Sequence, residues 1–509
     1  MRRFAGKTAV ALSYAGALAA MPALAENWTV TPSAGVTETY TTNYNLAPSG
    51  QEQDNWVTTV SGAVSVNGAG ARARLNGTVA LQGVLYATDS QNNYLYPQVN
   101  LLGSIEAIEK FFYVDAAINV SQQYLSPFAP QPAGNIGVTD NRYTSASYRV
   151  SPYIQGVLPG QVSYLLRNDS IWTNLSGTPT NQPGFVGAYY NQWTGRLDSP
   201  IRTFGWTLEG NTNYTKFTDQ SSITSEIVRG ILHYQPDPQL RLDAIGGYEW
   251  NNYYLTKSEN VVYGVGGEWK PTDRTTVVGD WQERYFGSSY LASATHRNPY
   301  TAFNINASRN ISSYPQQLFA LPAGANLAAL VDAAFTTRIP DPAQRAQAVQ
   351  AFLNQTGLPP TLQSPLNFYT QQVSLYDQQS ATFTVLGVRN SLAFTIYNRK
   401  SEVISGGSGQ PLPPPFGSQN NNTQRGASLV YSHRLTPLTN LNATATRYDT
   451  TATAPFTSKS TTDYFLVSVG TSLSPSTTGV TGLTYTMFDS NVGNDYNAFT
   501  AYVGINHRF

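Results

Sequence analysis

Cysteine is absent from the 509 residues, which removes a disulfide framework, a lipid-modified cysteine anchor and any thiolate metal site. Charge is scarce as well. Charged residues make up 12% of the chain, about half of the roughly 25% usual in a soluble domain. The 30 basic and 30 acidic side chains cancel, so no global field draws the chain to nucleic acid or to an anionic surface. The four histidines are scattered and show no metal-ligand spacing, so no metal and no cofactor is expected. Beyond the first residues there is no apolar run suited to a membrane helix, which needs ~20 residues. If the chain crosses a membrane it must do so as a closed sheet, the one other arrangement that pairs every backbone N–H and C=O in lipid.

What fills the chain instead is uncharged and polar. Mean hydropathy is −0.29 despite the low charge, and glycine (41) and tyrosine (33) are abundant. Such a composition suits strands with one face in lipid and the other in a wet lumen. Disorder would also give a polar chain, but the 12% aromatic content argues against it. The first 25 residues read as a secretory signal peptide. Arg2, Arg3 and Lys7 form a basic start, Ala9 to Ala20 an apolar stretch, and Pro22 with Ala23-Leu24-Ala25 a cleavage site before Glu26. Residues 26–509 are then expected to form one domain.

Alternation supports strands in that domain. From Leu240 to Trp250 the even positions are Leu240, Leu242, Ala244, Gly246, Tyr248 and Trp250, whereas the odd ones include Arg241, Asp243 and Glu249. Leu75, Gly77, Val79, Leu81, Gly83 and Leu85 likewise oppose a row carrying Arg72, Arg74, Asn76, Thr78 and Gln82, and Tyr263, Val265, Gly267 and Trp269 oppose Glu268. A period of two with charge on one face only marks a strand between unlike solvents. A charge on the lipid face would cost ~2–4 kcal/mol at mid-membrane, which enforces the segregation.

Tight turns alternate with long polar loops. Pro236-Asp237-Pro238, Pro271-Thr272-Asp273, Arg297-Asn298-Pro299 and Leu435-Thr436-Pro437 are tight. Segments 41–54, 87–97, 124–141, 173–184 and 405–423 are long. Bacterial outer-membrane barrels keep short turns in the periplasm and long loops outside, and counting on that basis gives roughly 22 strands, within a range of about 18 to 24. The predicted fold is therefore all-β, a transmembrane antiparallel barrel in the outer membrane of a Gram-negative bacterium. The last strand, with Phe499, Ala501, Val503, Ile505, His507 and Phe509 on one face, ends on an aromatic residue, as in the assembly signal read by the barrel-assembly machinery.

One stretch, 314–365, is helical. Leu327, Leu330, Val331, Ala334 and Phe335 fall at i, i+3, i+4, i+7 and i+8. A second helix opens at Asp341 with Pro342 and a capping Gln344, carries Ala346, Val349, Phe352 and Leu353 on one face, and stops at Gly357 before Pro359. The strand count puts this hairpin in an extracellular loop. The expected arrangement is a packed extracellular cap, with a constriction folded into the lumen as the alternative.

Three stretches carry a family resemblance. They are Glu38-Thr39-Tyr40-Thr41-Thr42-Asn43-Tyr44-Asn45-Leu46-Ala47-Pro48; the insert from Leu318 through Leu321-Pro322-Ala323-Gly324 to Ile339-Pro340-Asp341-Pro342 and Gly357-Leu358-Pro359; and Phe368-Tyr369-Thr370-Gln371-Gln372-Val373 leading to Gly387-Val388-Arg389-Asn390. The chain resembles the PEP-CTERM system-associated outer-membrane proteins, a family linked to exosortase and exopolysaccharide gene clusters. The resemblance implies a setting in polysaccharide or surface-protein export and supplies no catalytic residues.

The remaining candidates are charges. Arg72, Arg74, Arg241, Asp243, Glu249, Glu268 and Asp280 are expected to face the lumen, as wall-stiffening pairs or as a pore lining. His296-Arg297, His433-Arg434 and His507-Arg508 are expected at the periplasmic rim, as an interfacial belt or as a basic ring for anionic polymer. Three readings follow. The first is a channel or conduit, the second a closed barrel that anchors partner proteins, and the third a hydrolase. The third is disfavoured because nothing gathers a nucleophile, a base and an orienting group. A plugged TonB-dependent transporter is also disfavoured, since the strand pattern begins by Trp28 and leaves no room for a plug domain before it.

Overall fold

The computed structural model describes residues 27–509 except 133, 178–186, 219–221, 254–255, 405–420, 455 and parts of 320–371. The segment expected as a signal peptide lies outside the described residues. So does the start of the second insert helix.

Twenty-two antiparallel strands form one sheet that closes on itself. They are β1 (Asn27–Thr41), β2 (Asn55–Ala69), β3 (Ala73–Tyr86), β4 (Tyr94–Ile108), β5 (Phe112–Tyr124), β6 (Arg142–Leu158), β7 (Val162–Ser176), β8 (Ala188–Asp198), β9 (Phe204–Phe217), β10 (Ile223–Asp237) and β11 (Leu240–Tyr253). The second half comprises β12 (Thr256–Thr272), β13 (Thr275–Arg284), β14 (Gly287–Arg297), β15 (Thr301–Ser313), β16 (Val373–Leu386), β17 (Asn390–Val403), β18 (Asn422–Thr436), β19 (Thr439–Ala452), β20 (Lys459–Ser472), β21 (Thr477–Ser490) and β22 (Tyr496–Arg508). Each strand pairs with its sequence neighbour, and β1 pairs with β22 from Ser33↔Arg508 to Thr41↔Thr500. Closure leaves no free edge, the condition for a sheet to sit in lipid.

Both ends of the sheet lie at one rim, which carries the tight turns. The opposite rim carries most of the long connections. Between β6 and β7 the chain reverses in three residues with Gly160 at φ 84°.

The outward row is apolar in mid-wall: Val36, Leu81, Val265, Phe394 and Leu483 are all exposed there. Aromatic pairs flank it. Tyr40 and Trp56 (5.3 Å between ring centroids), Trp172 and Tyr189 (5.5 Å) and Tyr248 and Trp250 (4.8 Å) lie toward the long-loop rim, and Phe204 and Tyr234 (5.1 Å) at the short-turn rim. Such girdles mark the two membrane interfaces. Some outward polar side chains find partners toward the long-loop end, as in Arg447–Asp463 (3.1 Å) and Tyr290 Oη to Asp377 Oδ1 (2.7 Å). With a closed sheet, an apolar outer band and flanking aromatics, this is a transmembrane β-barrel.

Two helices follow β15: α1 (Tyr314–Phe319) and α2 (Leu327–Phe335). Residues 345, 346, 348–350, 352 and 353 are also helical. The connection leaves β15 and enters β16 at the long-loop rim, yet α2 packs at the other end. Leu327, Leu330, Val331 and Ala334, with Val349 and Leu353, form a cluster with Ala302, Leu386, Ala393 and Val430. Ala302 is the second residue of β15, Leu386 the last of β16 and Ala393 the fourth of β17, all close to the short-turn rim. These wall residues face inward, because their neighbours Phe303 and Phe394 are the exposed outer ones. The described α2 residues therefore sit inside the lumen and do not form the extracellular cap expected from the sequence. The physical reason is complementary shape. The inner wall of β15–β18 carries small side chains at that end, with Ala302, Leu386, Ala393 and Val430 forming an apolar patch among Thr384, Ser391 and Ser432, so the apolar helix face buries there and does not lie over the mouth.

Candidate functional site

A second segment also folds inward. The 125–141 connection reaches across the mouth to the far wall, where Tyr448 Oη donates to Gln131 Oε1 (3.0 Å), Tyr496 Oη to the Gln131 carbonyl (2.7 Å), and Ser460 and Ser490 to the carbonyls of Pro127 and Phe128 (both 2.7 Å). On the near side Tyr86 Oη donates to the Ile136 carbonyl at 2.8 Å. In the adjoining 42–54 connection Tyr44 is buried and donates to Asp89 Oδ2 (3.0 Å). Burial and then the bond to Asp89 push its hydroxyl above the usual tyrosine range, so it stays a donor.

Among the described residues, an open sector lies along the wall of β8–β14. A cavity of roughly 630 Å³ runs along it from Tyr190, Ile223 and Tyr253 near the long-loop rim to Arg241 and Gly267 near the other. Its lining is polar. Gln192, Asn211 and Asn213 form an amide row tied by Tyr190 Oη to Asn213 Oδ1 (2.6 Å) and Gln192 Nε2 to Asn211 Oδ1 (3.2 Å). Gln316 of α1 closes the row by donating to Tyr190 Oη at 2.6 Å.

Charges beneath the row are mutually compensated. Arg196 pairs with Asp198 (2.8 Å), Arg229 with Glu209, Arg241 with Asp243 (3.2 Å) and Glu268 (3.4 Å), and Lys270 with Glu268 (2.6 Å). Glu249 is fully buried and receives Arg284 Nη2 (2.7 Å), Arg284 Nε (3.0 Å) and the Tyr285 N–H (2.7 Å). Three donors on one carboxylate offset the desolvation of a buried charge and fix the β13–β14 hairpin to β11. Asp280 differs. Its hydrogen bond is to Gln282 Nε2 (2.7 Å), and among the described residues it has no ion pair.

The candidates from the sequence divide as follows. Arg241, Asp243, Glu249, Glu268 and Asp280 lie on the inner rows of β11, β12 and β13 and belong to one network or its border. Arg74 is on the inner row of β3, exposed near the rim. Arg72 is not on the wall. It sits in the Gly70–Arg72 turn and pairs with Glu109 of the next turn at 2.8 Å. The chain reverses at Gly70, whose N–H bonds the Ala73 carbonyl, so the strand starts one residue after Arg72.

At the short-turn rim these three histidines point outward and each meets the preceding strand in the same way. His296 Nδ1 is 2.8 Å from Thr275 Oγ1, His433 Nδ1 2.7 Å from Asn390 Oδ1, and His507 Nδ1 2.9 Å from Thr477 Oγ1. Their neighbouring arginines point inward. Arg297 donates to the Ala333 carbonyl of α2 (3.3 Å) and the Asp273 carbonyl (2.8 Å), and Arg434 lines a small recess with Phe335 and Phe352 of the insert. Arg508 lies beside Ser33 on β1. Phe509 packs edge-on against His507 at 4.8 Å.

His233 was not singled out by the sequence. Its Nδ1 lies 2.6 Å from Asp243 Oδ1 and its Nε2 2.9 Å from Thr207 Oγ1. The chain of atoms has the outline of a nucleophile–base–carboxylate triad. Thr207, however, donates its proton to Asp198 (2.6 Å) and is only 3% exposed, so it is a link in the wall and is not poised to attack. The signal was legible: His233 falls on the same odd-numbered row as Ser225 and Arg229.

The fold and its apolar band define the class, an outer-membrane-type β-barrel of Gram-negative bacteria. No family profile and no curated protein matches the chain. Among solved structures it is similar to the siderophore receptor PirA from Pseudomonas aeruginosa, at 11% identity and a TM-score of 0.43, covering 94% of this chain and 81% of that one. It is also similar to OpdK from the same organism with vanillate, at 9% identity and a TM-score of 0.36, covering 94% and 99%. The OmpT loop-deletion variant of Vibrio cholerae gives 10% identity, a TM-score of 0.31 and coverage of 95% and 99%. Nothing about ligand or activity is carried over from them.

Proposed function

We propose that this protein is an outer-membrane channel for hydrophilic solutes, with the 314–372 insert as a fixed constriction and the β8–β14 wall as the conducting side. The observation that carries the reading is the polar cavity that runs along that wall beside the insert. A closed structural barrel has no need of an amide row and compensated charges facing an unfilled space. The PEP-CTERM resemblance adds a setting, the export of exopolysaccharide or surface proteins, in which the barrel acts as conduit or accessory. Arg297 and Arg434, at the short-turn rim that is periplasmic in this reading, are held against the insert and serve to seat it.

Planar-bilayer recording tests the channel. The intact protein is expected to give small discrete conductance steps, and a variant lacking 320–365 much larger ones. Silence from both would favour the anchoring role, for which stable partners recovered from detergent-solubilised outer membranes are the evidence. The export setting is tested separately by scoring exopolysaccharide secretion and surface-protein display in a strain without the protein.

A further inference from the structure

We infer that Asp280 makes the passage selective for cations; this deepens the channel reading and rests on it. Every arginine along the cavity has a carboxylate partner: Arg196, Arg229, Arg241 and Arg284 are each closed by an acidic side chain. Paired charges present little net field to a passing ion. Asp280 borders the same cavity and makes no ion pair among the described residues; Gln282 stands between it and Arg229, which is itself closed by Glu209.

The register explains why. Its cross-strand neighbours are Gly266 on β12 and Leu291 on β14, neither able to pair with a carboxylate. On the inner row of β12, Gly264 and Gly266 stand in succession, so the wall beside Asp280 is bare backbone and the lumen widens there. Asp280 lies near the middle of β13, away from both rims and from bulk solvent. A carboxylate without an ion pair at mid-depth in a polar bore attracts small cations and repels anions. The ligand class is hydrated monovalent cations and solutes bearing an ammonium group.

The test uses the full-length protein in planar bilayers under a KCl gradient. The expected result is a reversal potential of cationic sign, with the cation-to-anion permeability ratio reduced in Asp280→Asn by about tenfold, roughly threefold for each ion from one charge at ~6 Å in a water-like medium. Asp280→Arg should invert the sign. A third variant, Glu209→Gln, frees Arg229 and should move selectivity toward anions while leaving Asp280 in place. Heat-modifiable gel mobility reports that each variant is folded. Conducting channels whose reversal potential is the same with and without the Asp280 charge, or an anion-selective intact protein, overturn the inference alone. Silent bilayers for both the intact chain and the insert deletion overturn the channel reading and this inference together.

Discussion

Glu249 shows how a buried charge is made tolerable in this wall. It has three donors and no exposure. Arg284→Ala would strand it, and breaking such a pair costs about 3–5 kcal/mol. Urea unfolding in detergent should record that loss, and an unchanged midpoint would mean that water replaces the guanidinium. Arg241, Asp243, Glu249 and Glu268 were legible from the sequence because a two-residue period with charge on one side fixes their face. Their pairing was not, since Arg241–Glu268 and Glu249–Arg284 depend on the stagger between strands. Arg72 fell on the wrong side of a strand end because the alternating pattern ran on into the turn, and only the backbone bond from Gly70 to Ala73 marks the boundary.

The insert was half legible. The spacing of Leu327, Leu330, Val331 and Ala334 announced a helix with one apolar face, and those residues are the buried ones. Its location was hidden, because the surface that receives it is assembled from Ala302, Leu386, Ala393 and Val430 on four strands. Each is an ordinary inward residue until the barrel closes. Fully burying a Leu or Val side chain contributes about 1.5–3 kcal/mol, so the knob as a whole is held firmly. The double substitution Leu330→Asp with Val331→Asp should free it. Single-channel recordings are then expected to show larger and noisier steps with an intact barrel, whereas unchanged conductance would mean that the bore is set elsewhere, for instance by the 125–141 segment.

The strand count emerged from the alternation of tight turns and long connections, a pattern dictated by the two unlike sides of a membrane. Orientation of the wall is equally constrained. Val265 faces outward at mid-height and is 61% exposed, whereas Val278 lines the cavity. Arginine at 265 should cost ~2–4 kcal/mol of folding stability in lipid. The same change at 278 should leave stability near the parent, read by refolding into vesicles at graded urea. Equal costs at both positions would contradict the assignment of faces. Solute identity is not written in the alternation, because uncharged amides and hydroxyls accept many partners.

A barrel of 22 strands is wide, and besides the 125–141 connection at its mouth it holds a tongue of its own chain seated at the far end against small wall residues. In the proposed channel, the seal at that end rests on the small side chains of Ala302 and Ala393. Bulky replacements there, such as Ala393→Trp, would push the tongue out. Bacteria carrying that change should become sensitive to bulky hydrophilic antibiotics that intact outer membranes exclude, with growth otherwise normal.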